Sequence, residues 1–266
     1  MTRYVKTLED VRRLQKLYAE PEFEQHRSIS AVYETDPEII AAVLPPPLKP
    51  TDRPLVSVGV SHIGLSNTLQ PFGSAGLSVR CEYEGLVGDY PLTMPMSTDS
   101  AVVFGRELYG EPKKVAAIEV RTEGDEIVGT VERYGTTYIE LRGTVVEEGE
   151  PGDAGESSRF YFKFMPAPDG NGFDNDPVLV RVRHTGRMRV VRRLEGTITL
   201  RESAHDPVVD IPVRKQLRMA YSEGDVYTHG EILTRVPGES FLPYMFGKLD
   251  DLELLAQEVG TGVVRA

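Results

Sequence analysis

The segment FGRELYGEPKKVA, Phe104 to Ala116, sets two lysines side by side directly after a proline, with Glu111 just upstream. A lysine attacks a carbonyl only as the free amine. At an ordinary pKa of ~10.4, about one lysine in 2,500 carries that form at neutral pH. Lowering the pKa by about four units, to ~6.5, corresponds to roughly 5.4 kcal/mol of differential interaction. Such a shift demands burial in an apolar pocket, a neighbouring cation, or both. If the chain runs extended after Pro112, Lys113 and Lys114 point to opposite faces, while Glu111 shares a side with Lys113. Only one lysine then enters a pocket, and desolvation matters more than the second ammonium. Glu111 can act in two ways. Ionised, it raises the pKa of an adjacent amine; protonated, it can serve as a general acid. Taken alone, a lysine pair is a common solvated feature of protein surfaces.

The elements that must position this segment are mostly strands. PLVSVGVSHIG, GLSVRCEYEG, KVAAIEVRTEG, EIVGTVERYG and TTYIELRGTVV are short, β-branched, alternating and separated by glycine-rich turns. RFYFKFMP, VLVRVRH, RMRVVRRLEGTITL and QLRMAYSEGDVYTHGEILTRV continue the pattern. Three helices are predicted before the lysines. Thr7 and Asp10 form a capping box ahead of Leu8, Val11, Leu14 and Leu17. Asp36 caps a short helix that has Pro37 at its first position and ends at Pro45 to Pro47. Asp99 caps a third, with Ala101, Phe104 and Leu108 along one face, which delivers the Pro-Lys-Lys segment. DDLELLAQEVG reads as a C-terminal helix closed by glycine. The acidic stretch EEGEPGDAGESS, residues 147–158, reads as a flexible loop, and APDGNGFDNDP as a second loop. Many short strands with few helices favour a closed or nearly closed antiparallel barrel, mainly β in class, over an α/β layer fold.

With 266 residues, 40% of them hydrophobic, the chain can bury a sizeable core. Forty-one acidic residues against 30 basic ones leave a net charge of −11, which repels phosphate backbones and anionic membranes. No nucleic-acid or membrane partner is expected. Cys81 cannot form an internal disulfide, and it sits in an alternating run as a small strand residue. No apolar stretch approaches the roughly 20 residues of a spanning helix, so the expectation is a soluble, cytoplasmic protein. The five histidines are scattered singly without metal-ligand spacing, and neither a phosphate-cradling glycine motif nor a serine-hydrolase elbow occurs. No metal or cofactor is expected. Arg181 and Arg183 fall on one strand face in the most basic stretch, where pairing with the acidic excess is the expected use.

GRELYGEPKKVA closely resembles the Gly-Arg-Glu…Pro-Lys-Lys segment of the acetoacetate decarboxylase superfamily. RSISAVYETDPEIIAAVLPPPL resembles that family's N-terminal segment, and GLVGDYPLTMPM the strand before its lysine helix. The resemblance implies that Lys113 forms an imine with an oxo acid and that Lys114 is its catalytic neighbour. An activated lysine is part of that implication, and the energy given above only sizes it. The resemblance further implies one domain across residues 1–266, an antiparallel β barrel or cone holding the lysine inside, and assembly as a homo-oligomer. Arg27 is its carboxylate clamp, by bidentate pairing. The alternative for Arg27 is an exposed N-terminal arginine, and His26 competes for the same alignment. Tyr90 and Tyr109 can offer hydroxyl groups to a substrate, or serve packing.

Departures from the family pattern bear on the reaction. Decarboxylases place acids at the positions of Ser74 and Gly59, and an aromatic residue where this chain has Glu111. From a 3-oxo acid, an imine on Lys113 permits loss of carbon dioxide. From pyruvate or another 2-oxo acid it loses a proton to give an enamine, which can add to an aldehyde co-substrate and then eliminate or add water. That route needs a mobile acid/base, which Glu111 can supply. The missing acids favour this aldolase-dehydratase or hydratase chemistry over decarboxylation. The third reading is a small-molecule-binding barrel without turnover.

Overall fold

The computed structural model describes residues 2–250. Helix α1 (Leu8–Ala19) starts as predicted, with the Thr7 hydroxyl accepting the Asp10 N–H at 3.1 Å. Strand β1 (Glu22–Glu34) leads to α2 (Pro37–Val43), β2 (Lys49–Pro50), β3 (Leu55–Ile63) and β4 (Leu65–Ser66). The hairpin β5 (Phe72–Tyr83) and β6 (Leu86–Met96) precedes α3 (Asp99–Tyr109) and the short β7 (Lys113–Val115). A meander of β8 (Ala117–Glu123), β9 (Glu126–Arg133) and β10 (Thr136–Glu148) follows. Then come β11 (Gly152–Lys163) and the long β12 (Val178–Leu200) and β13 (Lys215–Arg235).

The pairing order is β11-β6-β5-β3-β1-β13-β12, and β12 pairs back to β11, so seven strands close a ring. From β12 the sheet continues through β10 and β9 to β8. The expectation of a mainly antiparallel β fold with a few helices holds. Strand alternation gives the ring two chemically different faces. On β1, β3 and β5, Ile29, Ala31, Tyr33, Val56, Val60, Leu77 and Val79 are buried in the main core together with Ile127, Val131 and Leu141 of β9 and β10. Each valine, leucine or isoleucine among them contributes about 1.5–3 kcal/mol by leaving water. Gly129 lets the two layers approach closely: a Cβ there would stand 2.6 Å from Ile29 Cγ2 and 2.8 Å from Val60 Cβ. The alternate residues of the same strands face the other way and line a cavity.

Two sequence expectations need adjustment, and a third falls outside the described residues. Residues 147–158 are not one loop, because β10 runs to Glu148 and β11 starts at Gly152. Pairing of Gly152 to Lys163 with β12 satisfies the backbone there regardless of how few apolar side chains the stretch holds. The cap of α3 is Thr98, whose hydroxyl accepts the Ala101 N–H at 3.3 Å, while Asp99 occupies the first helical position. The segment DDLELLAQEVG lies, apart from its first residue, outside the described residues. The basic stretch does pair with the acidic excess, as in Arg181–Glu156 at 3.0 Å, Arg192–Glu148 at 2.9 Å and Arg193–Glu147 at 2.8 Å. Cys81 is a fully buried strand residue.

Candidate active site

Three local devices aim Lys113. Helix α3 ends at Gly110, whose φ of +81° is the left-handed conformation of a helix C-cap, with its N–H on the Arg106 carbonyl at 3.1 Å. A side chain at Gly110 would also strike the backbone of Phe162 and Lys163. The chain therefore turns sharply off the helix, and Pro112 hands it to β7, which pairs in parallel with β6 through Met94↔Lys113 and Pro95↔Lys114. The extended backbone sends the two lysines to opposite sides.

Lys113 turns inward. Its Nζ lies 2.7 Å from Glu111 Oε2 and donates to the Ala101 carbonyl of α3 at 3.3 Å. Both residues retain only 5% of their accessible surface. Gly105 explains how such a pair fits against a helix. A Cβ on Gly105 would collide with Glu111 Oε2 and stand 2.5 Å from Lys113 Nζ. The glycine of the Gly-Arg-Glu motif is thus a socket for the buried pair.

Lys114 does not join them. It points to the far side of β7, where its Nζ lies 2.9 Å from Asp250 and 3.8 Å from Asp206 and donates to the His205 carbonyl at 3.2 Å. Arg133 closes this network with contacts of 2.7 Å to each aspartate. Burial raises the Asp206 carboxyl against the pull of Lys114 and Arg133. At Asp250 burial also pushes upward, but hydrogen bonds from Arg133 and Lys114 outweigh it and hold the carboxyl below its ordinary value. The charge of Lys114 is therefore answered by carboxylates on the outer side, and the residue belongs to the frame that holds β7.

The inner side of β7 opens on a cavity of about 360 Å³. Glu111 and Lys113 line it beside Phe72, Met94, Met96 and Phe104, so the end of the cavity that holds the pair is largely apolar. Ser74, Gly59 and Tyr109 line it too. The Tyr109 hydroxyl has no hydrogen-bond partner among the described residues, and burial, with Glu111 adding to it, pushes this phenol up to about 12. Tyr90 is not a lining residue. It packs edge-on against Phe162, with ring centroids 6.0 Å apart, against the main core.

Arg27 is exposed and does not line the cavity, a correction to its role as carboxylate clamp. The reason is a bulge. The register of β1 shifts between Phe23 and His26, with Gln25 at φ +52°, so Phe23 and then His26, Ser28 and Ser30 take the cavity side and Arg27 is turned away. The arginine that does line the cavity is Arg159, on β11. Its cross-strand neighbour Asp89 is paired with Arg80 at 2.8 Å, and Arg159 forms no ion pair among the described residues. His26 and His184 flank the same space. Burial and the Arg159 charge lower both rings, His26 to about 4 and His184 well below its ordinary value, so both are neutral at pH 7. Sequence reasoning passed over Arg159, although a charge directly before the aromatic run in SSRFYFK, on the same strand face as Tyr161, was its signal.

Comparison with known proteins agrees with this architecture. The sequence model of the acetoacetate decarboxylase (ADC) family matches residues 12–236. An acetoacetate decarboxylase of Bordetella avium (strain 197N) is 32% identical over 189 residues, 68% of this chain and 74% of the relative. Among solved structures, the acetoacetate decarboxylase of Legionella pneumophila superposes with a TM-score of 0.74 at 21% identity, over 81% of this chain and 87% of that one. The enduracididine biosynthesis enzyme MppR complexed with pyruvate gives a TM-score of 0.67 at 15% identity, over 81% and 90%. A ring of strands around a buried lysine, reached from the Gly-Arg-Glu…Pro-Lys-Lys segment, and a family match over most of the described residues have one meaning: this chain belongs to the acetoacetate decarboxylase family.

Proposed function

We propose that the protein is an imine-forming lyase acting on a small oxo acid, with Lys113 as the nucleophile and Glu111 as the acid/base. The observation that carries this reading is the buried 2.7 Å contact between Lys113 Nζ and Glu111 Oε2 on the cavity wall. A contact of that length allows one proton to pass from ammonium to carboxylate, leaving a free amine beside a carboxylic acid. The amine adds to the ketone carbon, and the carbinolamine loses water, taking its proton from Glu111, to give the imine. Arg159 replaces Arg27 as the group that pairs with the substrate carboxylate, by a bidentate contact that no carboxylate of the described chain now makes with it. Lys114 acts by position, through its contacts with Asp206 and Asp250.

From a 2-oxo acid, Glu111 as carboxylate then accepts a proton from C3 and the electron pair moves into the imine, forming an enamine. The enamine carbon attacks an aldehyde, Glu111 returns the proton to the new alkoxide, and loss of water followed by hydrolysis frees Lys113. This aldolase-dehydratase or hydratase sequence is favoured by the position of Glu111 against the amine and by Ser74 and Gly59 standing on the cavity wall without a carboxylate. MppR, which shares the fold, is described in complex with pyruvate. The second reading is decarboxylation of a 3-oxo acid, in which the carbon–carboxylate bond breaks and its electrons enter the imine. It is favoured by the 32% identity to a protein named acetoacetate decarboxylase. Carbon dioxide release from acetoacetate, set against formation of a conjugated product from pyruvate plus an aldehyde, decides between them. Lys113→Ala abolishes whichever occurs; retained turnover would refute the assignment. The homo-oligomeric assembly and the cytoplasmic location belong to the same proposal, and light scattering of the purified protein tests the assembly.

A further inference from the structure

The wall formed by β1, β3 and β5 is unusual for the inside of a strand ring. Cross-strand pairing sets Ser28 beside Ser61 and Ser61 beside Ser74. One step along, Ser30 pairs with Gly59 and Gly59 with Gly76, and Ser57 pairs with Ser78. All eight residues line the cavity. On the opposite face of the same strands the alternate positions are apolar, Ile29, Ala31, Val58, Val60, Ala75 and Leu77. A cavity meant for an alkyl chain would carry apolar residues on both faces.

The hydroxyls are also unspent. Elsewhere in the chain serine is used internally: Ser97 accepts the Gly73 N–H at 2.7 Å and Ser158 accepts from Arg181 at 2.9 Å. None of these six serines makes a side-chain hydrogen bond among the described residues. A second, independent observation comes from His26, next to Ser28 on the same side of β1. Its ring lines the cavity, is well enough buried to be held neutral, and has no hydrogen-bond partner among the described residues. Neither Gly59 nor its surroundings explain the missing side chain, because a Cβ there would meet Ser30 Cβ at 3.6 Å and the Ile29 carbonyl at 3.7 Å, which is ordinary contact. Glycine where alanine fits leaves clearance for something that lies against the strand. The cavity, about 360 Å³, falls in the ~300–1,000 Å³ range of sites for ligands much larger than a three-carbon acid.

We propose that the cavity selects an oxo acid whose chain carries several hydroxyl groups, in the manner of a sugar acid. Its carboxylate pairs with Arg159, its ketone meets Lys113, and its hydroxylated chain lies across the serine tile, where each serine can both donate and accept. Water held by those serines is displaced without loss only by groups that reproduce its hydrogen bonds. An alkyl chain cannot. The proposal rests on the oxo-acid reading of the site, yet its test does not require an imine. Calorimetric titration of the wild-type protein with gluconate and with hexanoate, two six-carbon acids that lack a ketone, compares hydroxylated and bare chains directly. Gluconate is expected to bind at least tenfold more tightly. The double variant Ser61→Val/Ser74→Val is expected to remove that preference while hexanoate binds no more weakly; Ser61→Ala/Ser74→Ala, which perturbs packing less, is expected to reduce it several-fold. Equal binding, tighter binding of hexanoate, or no binding of either acid at millimolar concentration would overturn the proposal. Borohydride trapping of pyruvate on Lys113 reports separately on the imine, so either idea can fail alone.

Discussion

The carboxylate of Glu111 fills the place into which a Cβ on Gly105 would project. Helix α3 and the buried pair thus interlock at a residue with no side chain, and the amine is positioned by the helix as much as by its own strand. Replacing Gly105 with Ala should favour the isolated helix by about 1 kcal/mol, yet it must displace Glu111 or Lys113. A displacement of about 1 Å at a reacting group can cost roughly 100-fold in rate. The expected result for Gly105→Ala is a folded protein with kcat/KM lowered by about that factor and weaker trapping at Lys113. Wild-type turnover would show that the pair does not need its socket.

Glu111→Gln tests the proton transfers assigned to Glu111. The amide keeps the shape but moves no proton, so the C3 proton of bound pyruvate should exchange with deuterium slowly, by a factor of about 10²–10⁴. Nuclear magnetic resonance of pyruvate in heavy water reads that exchange, and mass mapping after borohydride reads the imine. The expected pattern is lost exchange together with slower, weaker trapping on Lys113, because the same carboxyl frees the amine and protonates the departing water. Unchanged exchange would assign the acid/base role elsewhere.

How much of this was legible in the sequence follows from how local each feature is. The helix cap at Gly110, the turn through Glu111 and Pro112, and the opposed directions of Lys113 and Lys114 need only neighbouring residues, and the expectation that Glu111 shares a side with Lys113 holds at 2.7 Å. Arg159 reaches the cavity only because β11 joins β6 and β12 to close the ring, a pairing between residues some 70 positions apart in the case of Asp89 and Arg159. Arg27 was assigned from the family resemblance, and the bulge at Gln25, which resets the alternation of β1 from His26 onward, turns it away from the cavity. Residues 152–158 look like solvated loop because their pairing partner, β12, lies beyond the next connection.

The outer network makes a prediction about stability. Arg133 is almost fully buried between Asp206 and Asp250, and removing it leaves two carboxylates sharing one lysine. Breaking a buried pair from one side costs about 3–5 kcal/mol. Arg133→Met should therefore lose that much in urea unfolding. Lys114→Met, which leaves both aspartates on Arg133, should lose less and still form an adduct on Lys113. The reverse order would contradict the framing role given to Lys114.

Acid should weaken the fold through the cavity histidines. The His26 ring titrates near 4 in the folded protein against 6.5 when exposed, because of burial and the Arg159 charge. Between those values the unfolded chain binds a proton that the folded chain does not, so stability present above pH 6.5 is lost as the pH falls toward 4. The loss is about 1.4 kcal/mol per pH unit, or about 2 kcal/mol at pH 5 from this ring. Urea unfolding of wild type and His26→Gln at pH 7 and pH 5 isolates it. The variant should show a smaller loss by about that amount; equal losses would contradict a neutral His26.

Reduction with borohydride in the presence of pyruvate, followed by peptide mass mapping, bears most directly on the whole account. The expected outcome is one covalent adduct, on Lys113 and not on Lys114, that disappears in Lys113→Ala. A protein left unmodified under conditions that trap a known imine enzyme, or modified on Lys114 instead, would contradict it.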